Sequence, residues 1–262
     1  MNRLDPIVAG TREEVARRRE AVPPAELERA VAARAEADGP VRSLPAALAR
    51  PGLAVIAEHK RSSPSAGPIR ADLALEDVVV AYERGGAAAL SILTEGPNFG
   101  GSLDDLRAAR RATALPLLRK DFVVDPYQVV ESFAAGADAI LLIVAALSPR
   151  ELASLHAQSR DLGLSALVEV HDERELDAGL EVGAAIVGIN NRDLKTLEVD
   201  TRRTFELLPR VTGQALIVSE SGFSRPEQLD ELAEAGVDGV LVGEALMRST
   251  DVEAACRVFT TR

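Results

Sequence analysis

Lys120 stands in the run Pro116–Phe122, where strand alternation sets it between Leu118 and Phe122 on one face. Lysine is seldom buried without a partner. A cation on the apolar side of a strand therefore points to proton transfer or to stabilisation of developing charge. Two other strand-like runs repeat the feature. Glu58 and Lys60 share a face at the end of Ala54–Lys60, and Glu169 shares one with Leu167. Charges recurring at the ends of apolar strands suggest one site assembled from several strands.

The elements that must position these groups form a repeating unit from residue 53 onward. A short leucine-rich or β-branched run is followed by a polar turn, an amphipathic helix and a glycine. Ala135-Gly136-Ala137-Asp138, Val182-Gly183-Ala184 and Ala235-Gly236-Val237-Asp238 close three helices alike, with glycine at the expected left-handed cap. Strands are expected at 53–59, 88–93, 116–120, 139–144, 165–170, 186–190, 215–219 and 239–242. Helices are expected at 75–85, 103–112, 126–135, 149–162, 173–182, 201–208, 226–235 and 251–259. Asp125 and Ser148 are good N-caps before proline, and Arg225-Pro226 also puts proline at a first helical position.

Eight strands alternating with eight helices predict an α/β protein, a (β/α)8 TIM barrel. A doubly wound open sheet would announce a glycine-rich phosphate loop after its first strand. Glu58-His59-Lys60-Arg61-Ser62-Ser63-Pro64-Ser65 stands there instead. Residues 1–52 lie outside the repeat, as an N-terminal helical extension (5–20 and 24–37) and a linker marked by Pro40, Pro45 and Pro51. With the barrel over 53–262 they are expected to form one domain.

Barrel active sites lie at the C-terminal ends of the strands. Glu58, Lys60, Lys120, Glu169, Asn190, Arg192, Glu220, Ser221 and Gly243 all fall there. Phosphate is often held after strands seven and eight of such barrels. Those loops read Ser219-Glu220-Ser221-Gly222 and Val242-Gly243-Glu244-Ala245, with glycines that let backbone approach an oxyanion. Ser62–Gly67 is a polar loop able to close over a ligand. His59 points away from Glu58 and Lys60 and reads as packing, His156 as an exposed helix residue, and His171 is ambiguous. Three scattered histidines and a single cysteine, Cys256, argue against a metal centre and exclude an internal disulfide.

The net charge of −11 disfavours nucleic-acid binding without excluding a small anion. Arg17-Arg18-Arg19, interleaved with Glu13, Glu14 and Glu20, reads as a solvated helix face. No apolar run approaches the ~20 residues of a membrane span, and Met1–Pro6 lacks a signal-like apolar core. No membrane association is expected, and the cytoplasm is the expected compartment.

Taken in order, these motifs resemble the indole-3-glycerol phosphate synthase family of tryptophan biosynthesis. The matching runs are Ile56–Ser65, Leu90–Glu95, Leu118–Phe122, Ala137–Ile143, Leu167–Val170, Gly188–Leu194, Ser219–Gly222 and Leu241–Arg248. The resemblance implies ring closure, decarboxylation and dehydration of 1-(2-carboxyphenylamino)-1-deoxyribulose 5-phosphate, with no cofactor or metal. It implies Lys120 as general acid, Lys60 as substrate contact or second proton donor, and Glu169 as general base. Glu58, Asn190 and Glu220 would position substrate and tune the lysines. Phe99, Phe122, Leu141, Leu194 and Leu241 would wall the anthranilate ring. Ser221, Gly222, Gly243 and Glu244 would cradle phosphate, while Ser63, Pro64, Ser65 and Arg192 close and orient the site.

The chain departs from the family pattern at Ala66, Phe223 and Thr11, none of them an acid–base position. A phosphoribosylanthranilate isomerase would carry a cysteine base where Glu58-His59-Lys60 stands. A noncatalytic barrel sensing a phosphorylated metabolite would need the glycine loops but not Lys60, Lys120 and Glu169 together. The expected partner is a small phosphorylated substrate, and the expected state a monomer or weak homodimer.

Overall fold

The computed structural model describes residues 4–70, 72–211 and 213–261. Eight parallel strands close into a barrel: β1 (Ala54–His59), β2 (Ala89–Leu93), β3 (Leu117–Lys120), β4 (Ala139–Ile143), β5 (Ser165–Val170), β6 (Ile186–Asn190), β7 (Leu216–Glu220) and β8 (Gly239–Val242). They pair in chain order, and β8 returns to β1 with Ala57 opposite Val242. The chain opens with helices α1 (Leu4–Ala21), α2 (Pro24–Asp38) and α3 (Leu44–Leu48). Helices α4 (Leu75–Arg84), α5 (Leu103–Ala112), α6 (Pro126–Ala134), α7 (Pro149–Asp161), α8 (Glu173–Glu181), α9 (Arg202–Leu207) and α10 (Gln228–Glu234) follow β1 to β7 in turn. The short α11 (Glu244–Met247) and then α12 (Val252–Thr260) follow β8. The expected barrel with an N-terminal helical extension is the observed fold.

Local chemistry explains the element boundaries. Asp125 and Ser148 cap α6 and α7 as expected, Ser148 with Glu151 in a reciprocal capping box. Gly136 and Gly236 take positive φ just past α6 and α10, where a side chain would strain the turn. Helix α10 begins at Gln228, two residues later than expected, because Pro226 lies in the preceding turn and its carbonyl accepts from Leu229 N.

Both faces of each strand are buried, as a parallel sheet requires. Outward residues such as Val55, Leu90, Ile140 and Val168 meet Val78, Val79, Leu106 and Leu152 of the helices. Inward residues stack in layers drawn from alternate strands. Ile56, Leu118, Leu167 and Val218, from β1, β3, β5 and β7, lie in the interior. Two residues further along the same strands stand Glu58, Lys120, Glu169 and Glu220. The layered interior thus ends in four ionisable side chains at the C-terminal mouth.

The proline-marked stretch before β1 is more than a linker. Ser43 caps a five-residue helix, α3, whose Leu44 and Leu48 are buried in the barrel interior. A Cβ added at Gly239, the first residue of β8, would come within 2.9 Å of Leu48 Cδ2. Helix α3 therefore plugs the end opposite the mouth.

Helices α1 and α2 are fastened to the barrel by charge. Asp138, fully buried, pairs with Arg34 and Arg110 and accepts the backbone N–H groups of Arg42 and Leu117. Arg18 bonds Glu131 at 2.8 Å and Arg19 bonds Asp125 at 2.5 Å. The solvated-face reading of Arg17-Arg18-Arg19 is therefore corrected. Arg17 pairs with Glu14 within its own helix, while the next two arginines dock α1 on α6 because their acids lie on that helix and its cap. No described helix is long and apolar enough to cross a membrane.

Candidate active site

The charged top layer opens into a cavity of about 1040 Å3 at the C-terminal mouth. Lys120 Nζ donates to Glu169 Oε2 at 2.8 Å and to Glu220 Oε2 at 2.6 Å. The lysine side chain is 15% exposed and both glutamates only 2%. Across the mouth Lys60 Nζ meets Glu58 Oε1 at 2.7 Å, and Ser91 Oγ donates to Glu58 Oε2 at 3.2 Å. The side chains come together because each sits on the inward parity of a strand tied to its neighbours by register.

Electrostatics differentiates the glutamates. Burial opposes the Lys120 charge, but Glu169, Glu220 and Glu58 outweigh it and hold the ammonium above its ordinary pKa. Burial raises Glu169 too, yet Lys120 and His171 overcome this and hold the carboxyl well below the usual range. Glu220 has no such second cation. Burial and the neighbouring Glu169 charge push it up to about 7 despite Lys120. Its Oε1 is buried without a hydrogen-bond partner among the described residues, as suits a carboxyl that gains a proton readily. Gly188 makes room for it, since a Cβ there would overlap that oxygen. The mouth thus holds an ammonium between one firmly ionised carboxylate and one near its titration point.

The remaining walls belong to loops. Phe99 and Phe122 face each other with centroids 6.5 Å apart, and Leu141, Leu194 and Leu241 line the same cavity. Glu95 holds the Phe99 loop by accepting from the backbone N–H groups of Asn98 and Phe99. Asn190 Oδ1 accepts from Arg192 N at 3.0 Å, and Arg192 reaches Leu197 O at 2.9 Å, which shapes the loop after β6. Ser63 Oγ caps its own turn through Ala66 N, within a small hairpin pairing Ser62–Ser63 with Gly67–Pro68. Pro64 and Ser65 form its tip on the cavity wall.

The two glycine loops also line the cavity, through Ser221, Gly222, Gly243 and Glu244. Ser221 and Gly222 are successive residues of positive φ, 67° and 95°. Asn191 Nδ2 holds the Ser221 carbonyl at 3.1 Å. Backbone N–H groups in such a turn suit an oxyanion. Arg248 lines the cavity beside them and pairs with Glu244 at 2.9 Å.

Every residue the sequence reading assigned to the site lines this one cavity. His59 is buried away from it, and burial lowers its pKa to about 4. His156 is half-buried on α7 rather than exposed, because Leu152 and Leu155 beside it pack on the barrel. Sequence reasoning missed Leu4, Pro6 and Ile7 of α1, which close one side of the cavity. Their apolar run just before the arginines was the available signal. It also missed Glu95 and Asn98, whose loop alternation does not orient, and the contact His171 makes with Glu169.

Known proteins resemble this chain in sequence and in fold. The family model described as indole-3-glycerol phosphate synthase matches residues 4–259. The chain is similar to indole-3-glycerol phosphate synthase 2 of Streptomyces coelicolor, at 52% identity over 83% of this chain and 84% of that protein. It is similar to indole-3-glycerol phosphate synthase of Mycolicibacterium gilvum, at 48% identity over 98% of this chain and 93% of the relative. Among solved structures, 3-hexulose-6-phosphate synthase from Salmonella typhimurium aligns with TM-score 0.61 and 16% identity, over 80% of this chain and 97% of that one. Thiamine phosphate pyrophosphorylase from Pyrococcus furiosus aligns with TM-score 0.60 and 18% identity, over 80% and 94%. At those identities the two structures speak for the fold alone.

Proposed function

Since the chain belongs to the indole-3-glycerol phosphate synthase family, we propose that it converts 1-(2-carboxyphenylamino)-1-deoxyribulose 5-phosphate to indole-3-glycerol phosphate, carbon dioxide and water. The observation that carries this reading is the buried ammonium of Lys120, gripped by Glu169 and Glu220 at the floor of a cavity with an aromatic wall.

In this reading the phosphate lies against the Ser221-Gly222 and Gly243-Glu244 turns. The anthranilate ring lies among Phe99, Phe122, Leu141, Leu194 and Leu241. The ring carbon bearing the carboxylate attacks the ketone carbon, and Lys120 delivers a proton to the ketone oxygen as negative charge develops there. Loss of carbon dioxide restores the ring electrons. The new hydroxyl then departs as water with a proton from Lys60, and Glu169 takes up the proton the ring system releases. Glu58 aims Lys60, and Glu220 helps Glu169 hold Lys120 in its cationic form, because neighbouring carboxylates favour the ammonium over the amine. Asn190 and Arg192 orient the substrate chain, and Ser63, Pro64 and Ser65 cover it.

The chain contains no tryptophan, so an indole product fluoresces against a quiet protein background. Incubation with the carboxyphenylamino-deoxyribulose phosphate, without added cofactor or metal, is expected to produce that fluorescence. Folded protein that binds the substrate and yields no indole sinks the reading.

A further inference from the structure

His171 lies one residue beyond β5, between the site and the first turn of α8. Two bonds fix its ring from the helix side. Glu175 Oε2 accepts the His171 backbone N–H at 2.8 Å and faces Nδ1 at 2.9 Å. An ionised carboxylate accepts, so Nδ1 carries the proton. The other nitrogen, Nε2, is buried and turned to Glu169 Oε1 at 3.4 Å, with no closer partner among the described residues. Glu169 spends its second oxygen, Oε2, on Lys120. The result is a chain of alternating charge, Glu175–His171–Glu169–Lys120–Glu220, running from a helix start to the centre of the mouth.

We propose that His171, anchored by Glu175, is a positioning residue that orients Glu169 and keeps it ionised by standing as a cation behind its Oε1. This rests on the reading of Glu169 as general base. The groups facing the imidazole are Glu169 from β5, Glu175 from α8 and, more distantly, Asp193 from the loop after β6. Arg203 of α9 also acts on Asp193, and Lys120 stands behind Glu169. Burial works against the imidazolium, but the Glu175 bond and the nearby Glu169 carboxylate overcome it and raise its pKa to about 9. Two carboxylates on one ring outweigh its desolvation, and the cation in turn lowers the pKa of Glu169. Glu169 and Glu220 both bond Lys120, at 2.8 and 2.6 Å, and only Glu169 also has the histidine beside it.

His171→Asn separates this role from loop anchoring. Its amide still reaches Glu175 in place of Nδ1 but is too short to face Glu169. The acid limb of the kcat profile is expected to move up by about one pH unit, so that kcat on that limb falls about tenfold. KM is expected to change less than about twofold. His171→Gln, which presents an N–H where Nε2 stood, is expected to restore part of the loss. Imidazole NMR of the unmodified protein supplies a readout independent of catalysis. Only three histidines are present, and the resonance missing from His171→Asn identifies the ring. It is expected to titrate well above the other two. A His171 ring titrating at or below the ordinary histidine value overturns the proposal. So does a pH profile that His171→Asn leaves in place. If the unmodified protein makes no indole, the functional reading fails, while the NMR titration still decides the charge on His171.

Discussion

Lys120→Met removes the ammonium and leaves the Glu169 and Glu220 carboxylates facing each other in the mouth, both only 2% exposed. Methionine fills a similar volume, so packing survives and the loss is electrostatic. Stripping one partner from a buried charge cluster costs about 3–5 kcal/mol when the remaining charges stay ionised. The carboxylates escape part of that cost by taking up protons. Each unit by which a folded carboxyl exceeds its unfolded pKa costs about 1.4 kcal/mol once pH lies above both values.

The sign differs between the two proteins. In the unmodified chain Glu169 is held below its unfolded value, so its contribution is present above that value and is lost as pH falls toward the folded one. In the variant its folded pKa is raised, so stability is full at acid pH and lost as pH rises through the folded pKa. The stability gap is therefore expected to be about 3 kcal/mol at pH 8 and narrower by about 1 kcal/mol at pH 5, where the variant's carboxyls have taken up protons while Glu169 of the unmodified chain still contributes. Urea unfolding followed by far-ultraviolet circular dichroism at the two pH values measures it. A gap that is equal at both, or wider at pH 5, refutes the electrostatic account of the mouth. Indole formation by the folded variant is expected to fall by at least about 100-fold.

Three further outcomes follow from particular contacts. Glu169→Gln is expected to lower kcat by about 100-fold or more while KM changes little, read by indole fluorescence. Leu48→Ala, in the plug at the far end, is expected to cost about 2–5 kcal/mol in urea unfolding and to leave KM unchanged. Gly222→Val forces a side chain at φ 95° to within 2.8 Å of Thr201 and Val199. It is expected to raise KM, and the inhibition constant of inorganic phosphate, by about tenfold, with a smaller change in kcat.

Much of the barrel was legible because its signals are local and periodic. Gly136 and Gly236 mark helix ends, Asp125 and Ser148 mark starts, and strand alternation alone turns Lys120 inward and Arg119 outward. Arg119 is fully buried among Asp121, Glu131, Ser132 and Thr94, but those partners come from three elements and no spacing announces them. Helix α3 escaped because five residues are too few for helical periodicity, and Pro45 reads as a linker until Ser43 is seen capping it. His171 escaped because alternation stops at the strand end and Glu175 does the orienting. Helix α1 was visible as a helix, whereas its place on the cavity depends on ion pairs to α6 over more than a hundred residues of chain.

The charged layer takes one side chain from each odd-numbered strand, and this divides the site unequally along the chain. The segment through β4 holds Glu58, Lys60 and Lys120, with an excess of positive charge at its mouth. The segment from β5 onward holds Glu169 and Glu220, with only negative charge among these five groups. Neither half-barrel is balanced alone. Each presents at its open edge the charge the other lacks, and the two lysine–glutamate bonds of Lys120 span the seam between them. Mutual neutralisation adds a directional attraction across the seam of β4 with β5 and to the long-range pairing of β8 with β1. Activity regained during refolding then counts closed rings rather than folded helices.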